Sequence, residues 1–353
     1  VSTRRVLVLL GLVLAVTTGC AGHRRVNPKA GEFQRQGAQA YLDGELDRAA
    51  GLFSLALEFE PRLCEATNGL GLVARARGDD REAERQFRAA LAINEDFAEA
   101  HVNLGWLLGR RGHWDRARAH FRQALALDPG YGAARLASAE AAMQVGRLDE
   151  AHWELRKLVA VEPGNARAHG ALARVLVRLG RIAAAEESVM AALDTGPDVA
   201  VSHRARADVL AARGDLAEAE RALREAVRLE PGVIDDQLNL AAWLVALGRV
   251  EDAWAALRAA RGLGPERPEV AFLASYAALK AGRFEEAVQL GRQAQEKKGS
   301  YPEARLVVAE ALMGIGRTGE GRRELEVFLE EAPPRLAHER RAAAQMLKTL
   351  TGR

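Results

Sequence analysis

The chain has 353 residues, 48% of them hydrophobic and 28% charged, with a formal net charge of +2. That apolar share supports a sizeable core and excludes compositional disorder. The charge is balanced at 48 basic against 48 acidic residues once Arg4 and Arg5 are set aside, which leaves no cationic excess for gripping nucleic acid. Ala and Leu dominate while β-branched and aromatic residues are sparse, so helix is favoured over sheet.

Residues 1–19 begin with Arg4 and Arg5, continue in an apolar run from Val6 to Val16 and end in small residues. The run is too short to span a bilayer as a helix and has the layout of a signal peptide. Its end, Thr18, Gly19 and Cys20, resembles the lipobox of bacterial lipoproteins, from which Thr17 departs by not being a larger aliphatic residue. The resemblance implies lipidation of Cys20, a tether over residues 20–29, and, with Ala21 following the cysteine, delivery to the outer membrane. Several acyl chains anchor a protein firmly where one binds marginally.

From residue 30 onward the chain repeats. Gly44, Gly78, Gly112, Gly146, Gly180, Gly214, Gly248, Gly282 and Gly316 follow one another at 34-residue spacing. Five residues after each stands an alanine, from Ala49 to Ala287, and finally Gly321. Seventeen residues after the glycine stands a proline in seven of the units, with Glu95 and Gly299 as the exceptions. Glycine stops a helix in the left-handed conformation, alanine admits a close neighbouring helix, and proline prevents the second helix from continuing. Each unit is therefore expected to be two antiparallel helices, and one hairpin cannot cover its own apolar face, so units must stack.

The pattern resembles the tetratricopeptide repeat, with its positions filled in the third unit by His101, Leu104, Gly105, Leu108, Ala117, Phe121 and Pro129. The resemblance implies an all-α fold, an α-solenoid wound as a right-handed superhelix. It would have nine repeats, at 30–63, 64–97, 98–131, 132–165, 166–199, 200–233, 234–267, 268–301 and 302–335. Residues 336–353 read as a capping helix and tail. Two units depart from the pattern: Gly291 stands where an aromatic or leucine is expected, and Gly314, Gly316, Gly319 and Gly321 should loosen the ninth repeat.

No motif for metal binding or nucleophilic catalysis is present, and no Gly-rich phosphate loop precedes a helix. The chain is thus read as non-catalytic, without cofactor or metal. His101, His169 and His203 share the fourth position of their repeats and lie a whole hairpin apart, too far to share one zinc ion, so they are read as helix-packing residues. Cys64, the one other cysteine besides Cys20, opens the second repeat and is read as shielded.

In the repeat family the first helix of each unit lines the concave wall. The inward positions then give an apolar stretch (Leu72, Val102, Trp106, Leu136, Met143), a basic one (Arg167, Arg174, Arg178, Arg204, with Asp208 beside them) and a second apolar one (Phe272, Tyr276, Leu306, Met313). Aromatic and Met side chains suit an apolar helix or extended peptide, and the arginines suit an acidic group. The expected function is a membrane-anchored scaffold binding a partner protein of the cell envelope, with a weaker resemblance to the type IV pilus pilotin class. Roles in polysaccharide export or outer-membrane protein assembly, a small-ligand receptor and an enzyme are the alternatives.

Overall fold

A computed structural model describes residues 27–296 and 301–351. The expected signal peptide, Cys20 and most of the expected tether lie outside these residues. The described part is helical, an all-α solenoid of hairpins. It divides after Thr195 into two compact units.

The first unit holds five hairpins: α1 (Pro28–Leu42) with α2 (Leu46–Phe59), α3 (Cys64–Ala76) with α4 (Asp80–Ile93), α5 (Ala98–Arg110) with α6 (Trp114–Leu127), α7 (Gly132–Gln144) with α8 (Leu148–Val161), and α9 (Ala166–Arg178) with α10 (Ile182–Thr195). The second holds α11 (Ala200–Arg213) with α12 (Leu216–Leu229), α13 (Ile234–Ala246) with α14 (Val250–Leu263), α15 (Pro268–Lys280) with α16 (Phe284–Glu296), and α17 (Ala304–Gly314) with α18 (Thr318–Glu331). A short 3-10 turn, Pro334–Leu336, leads to α19 (Ala337–Thr351).

The hairpins are closed by one recurring device. All nine periodic glycines have positive φ, between 72° and 89°. The residue after each donates its N–H to the carbonyl five residues back, from Glu45 to Ala40 at 2.9 Å through to Arg317 to Leu312 at 2.8 Å. This satisfies a terminal carbonyl of the first helix while the chain reverses.

The alanines five residues on are fully buried, from Ala49 to Ala287. Large side chains of the second helix, such as Phe87, Phe121, Leu155 and Leu223, fill the interior between the paired helices. Successive first helices also touch, α1 on α3, α5 on α7 and α7 on α9 in the first unit, α13 on α15 and α15 on α17 in the second. Successive second helices make no comparable contact among the described residues, so within each unit the first helices form the tighter, inner wall.

The glycines that depart from the pattern at 291, 314 and 321 are closely packed. Gly291 is buried, and the space a side chain would take there is filled by Val308 of the next hairpin. A Cβ at Gly314 would stand 2.9 Å from the Phe284 ring, and one at Gly321 would stand 2.9 Å from the Ala309 carbonyl oxygen. Both glycines therefore permit close approach. Helix α19 covers the last hairpin: Ala343, Met346 and Leu347 pack with Leu325 and Phe328, and Arg340 donates to the Ala332 carbonyl at 2.8 Å.

Candidate functional site

On the inner wall of the first unit α3 and α5 are joined where Asn103 donates to the buried Asn68 at 3.0 Å. Leu72 and Trp106 are half-buried on this wall and lean on the core below. The Trp106 ring tilts against Phe121 at 5.6 Å. Its Nε1–H is buried with no partner, a cost of about 1–3 kcal/mol for such a donor. Leu136 is half-buried. Val102 and Met143 do not belong to an open surface: they are 3% and 7% exposed and form part of the core. At those register positions the neighbouring helix is close enough to cover a side chain.

The expected basic stretch is largely committed within the chain. Arg178 donates to the Met143 carbonyl at 2.9 Å, in the last turn of α7, where a cation meets the negative end of the helix. Arg167 and Arg174 are half-buried and also interact within the chain. In the second unit the Arg204 Nε donates to both Asp236 oxygens at 2.8 Å, and a terminal nitrogen reaches Glu230 at 3.0 Å. Asp236 is 2% exposed. Burial works against the Arg204 charge, but the Asp236 and Glu230 carboxylates more than offset it and raise its pKa above the ordinary arginine value. Arg204 therefore locks α11 to α13 and is not presented to an anion; Asp208 beside it is half-buried.

The second unit presents a clearer aromatic surface. Phe272 lies 4.5 Å from the Tyr301 ring, and the Lys280 ammonium lies 5.1 Å over Tyr276. Leu306 and Met313 are half-buried on α17.

The fourth repeat position has a structural role that periodicity alone did not specify. His169 bonds through Nε2 to the Pro163 carbonyl at 3.0 Å, and His203 to the Pro197 carbonyl at 2.7 Å. His101 makes the same bond to Glu95 at 3.0 Å, and Arg135 and Gln237 reach back to Pro129 and Pro231 from the same position. These side chains clip the end of one repeat to the first helix of the next. His101 also places its Nδ1 3.0 Å from Nδ1 of His120. Burial, His101 and Arg88 together lower the His120 pKa.

Two carboxylates complete the wall of the first unit. Glu65 and Glu99 occupy the second position of successive repeats, in the first turns of α3 and α5. Burial raises the pKa of Glu65. Glu99 is open at its surface but crowded by the wall around it, and this loss of water, with the Glu65 charge, raises its pKa as well. Beside them the Tyr131 phenol is held un-ionised by burial and by Glu99 and Asp128. Their register is the sequence signal that marks the two acids. Outside the inner wall, Trp153, Met190 and Val161 are 52%, 65% and 75% exposed on second helices.

Among the described residues no group of three or more His, Cys, Asp or Glu is placed to hold a metal, and no helix is long and apolar enough to cross a membrane.

Stacked helical hairpins whose first helices form an inner wall define an α-solenoid of the protein-interaction class. Tetratricopeptide repeat profiles match residues 68–132, 136–200, 171–234 and 238–305, and a second such profile matches 108–161. The chain belongs to the tetratricopeptide repeat family. It is similar in fold to a tetratricopeptide repeat protein from Parabacteroides merdae, at 16% identity and TM-score 0.52 over 70% of this chain and 98% of that one. It is similar to pilF of Pseudomonas aeruginosa, at 18% identity and TM-score 0.52 over 62% and 97%. It is similar to a chain of the Cut9–Hcn1 hetero-tetramer of the APC/C, at 15% identity and TM-score 0.65 over 79% and 55%. No curated protein matches the sequence. Repeat proteins of this family are in general non-catalytic scaffolds for protein–protein contacts.

Proposed function

We propose that the chain is a non-catalytic scaffold, anchored through a lipidated Cys20 to the periplasmic face of the outer membrane. Its inner wall holds a partner polypeptide during assembly of a cell-envelope machine of the pilus and secretin kind. The observation that carries the scaffold reading is the set of half-buried large side chains on first helices, Leu72 and Trp106 in one unit and Phe272 and Tyr276 in the other. Such side chains gain most when a partner removes their remaining surface from water. The envelope setting is supported by the export segment that precedes the repeats, and the pilotin-class reading by that same adjacency; the likeness to pilF supports the fold. Scaffolding for polysaccharide export or outer-membrane protein assembly is the alternative.

A photo-crosslinking residue at Trp106, and another at Tyr276, introduced into the lipidated protein in its native envelope, tests this. Capture of a secretin or another outer-membrane assembly subunit is the expected result. A correctly localised protein that yields no protein adduct at either position excludes the inner wall as the working surface.

A further inference from the structure

Sequence register pointed to arginines as the charged contacts for a partner, but the structure commits Arg178 and Arg204 within the fold. Two acids on the wall of the first unit carry charge that no ion pair takes up, Glu65 and Glu99. Glu65 lies 3.5 Å from the Cys64 sulfur; among the described residues neither Glu65 nor Glu99 forms an ion pair, and no cation contributes to their pKa values. Acids in the first turn of a helix ordinarily complement its dipole and are stabilised as anions. Here loss of water around both acids, and the Glu65 charge acting on Glu99, override that effect, since both pKa values move upward. A cation brought between the two carboxylates would relieve the repulsion and replace lost water.

The same two helices carry a second matched pair. Leu72 stands seven residues beyond Glu65, and Trp106 seven beyond Glu99. Seven residues are two helical turns, about 10.5 Å, and bring the side chains back to the same face. The face of α3 and α5 thus offers an acidic pair at one end and an apolar pair about 10.5 Å along. The helices are held together between these ends by the Asn103–Asn68 bond.

We propose that this face binds an amphipathic α-helix of a partner protein that carries an apolar residue followed, seven positions later, by Lys or Arg. The inference rests on the scaffold reading above and deepens it. An incoming helix laid along α3 and α5 repeats their rise, so an apolar residue over Leu72 and Trp106 sets a residue seven positions away over Glu65 and Glu99. A cation is favoured toward the C-terminal end of its own helix. The acids stand at the N-terminal ends of α3 and α5, so the incoming helix runs antiparallel to both, and this fixes the order apolar first, cation second.

The test uses the full repeat array and two fluorescein-labelled helix-forming peptides of about 18 residues, long enough for measurable helicity. One carries Leu and, seven residues later, Lys; its twin carries Glu in place of that Lys. Fluorescence anisotropy is expected to show the Lys peptide binding at least tenfold tighter, with the advantage shrinking as salt rises. The double variant Glu65→Gln with Glu99→Gln should remove the preference while melting no lower than the parent. Glu65→Lys with Glu99→Lys should reverse it in favour of the Glu peptide. Equal affinity of the twins for the parent protein, or binding of neither, overturns the inference. The Trp106 crosslink separates this from the broader reading: an envelope protein captured there while the twins bind equally leaves the scaffold standing and removes only the acid-directed helix.

Discussion

Phe121 of α6 lies against Gly105 of α5 so closely that a Cβ built on the glycine would stand 2.5 Å from the ring. The same relationship joins Gly71 to Phe87 and Gly37 to Phe53. In the fourth, sixth and seventh repeats the corresponding pairs are Ala139 with Leu155, Ala207 with Leu223, and Ala241 with Leu257. The eighth has Ser275 with Gly291. A smaller residue on one helix is thus matched by a larger one on its partner, and in the eighth repeat, where both are small, Val308 of the next hairpin fills the space, as close packing requires.

Gly105→Ala is therefore expected to destabilise the array by about 1–3 kcal/mol through overpacking. Adding Phe121→Leu should recover part of that loss, because the pair then has the composition found in the fourth repeat. Urea unfolding of both single variants and the double variant gives the coupling, and strict additivity would exclude the proposed contact.

Ala117 is fully buried, where α6 passes its neighbours. Ala117→Arg forces a long cation into that contact and should cost about 3 kcal/mol or more. An unchanged melting temperature by circular dichroism would show that the register of the third repeat is wrong.

Arg204→Met removes the cation that Asp236 and Glu230 share and should cost up to about 3–5 kcal/mol. Arg178→Met removes only an exposed cation from a helix end, a loss of about 1 kcal/mol or less. Parallel urea titrations check the difference; equal small losses would return Arg204 to the category of available surface charge.

The His101–His120 contact makes stability depend on pH. The His120 pKa is lowered in the folded chain by burial, by His101 and by Arg88, so the unfolded state binds the proton more readily. Stability is then fully present above the unfolded histidine value, about 6.5, and falls as the pH drops below it. His120→Gln should flatten the curve of stability against pH over about 7 to 5. A slope unchanged in the variant would place the titrating group elsewhere.

Cys20→Ala tests the anchor. With the acyl chains gone the protein should leave the membrane fraction on cell fractionation, and undiminished sedimentation with membranes would end the lipoprotein reading.

The sequence by itself determined the period, the helix pairs and the places where helices touch. Each rests on a local rule: a glycine with positive φ ends the first helix at Gly44 and its eight counterparts, and a small residue at Ala49 and its counterparts admits a neighbour. Only the tertiary structure decided which inward-facing side chains remain available. Val102 and Trp106 are four residues apart on one helix, yet the first is core and the second half-buried. Arg204 reads as a surface cation until α13 brings Asp236 against it from 32 residues away. Gly291 reads as a defect until Val308 of the following hairpin fills its space. Availability depends on the distance to the next hairpin and on the charges that hairpin carries, and a single repeat, however regular, encodes neither.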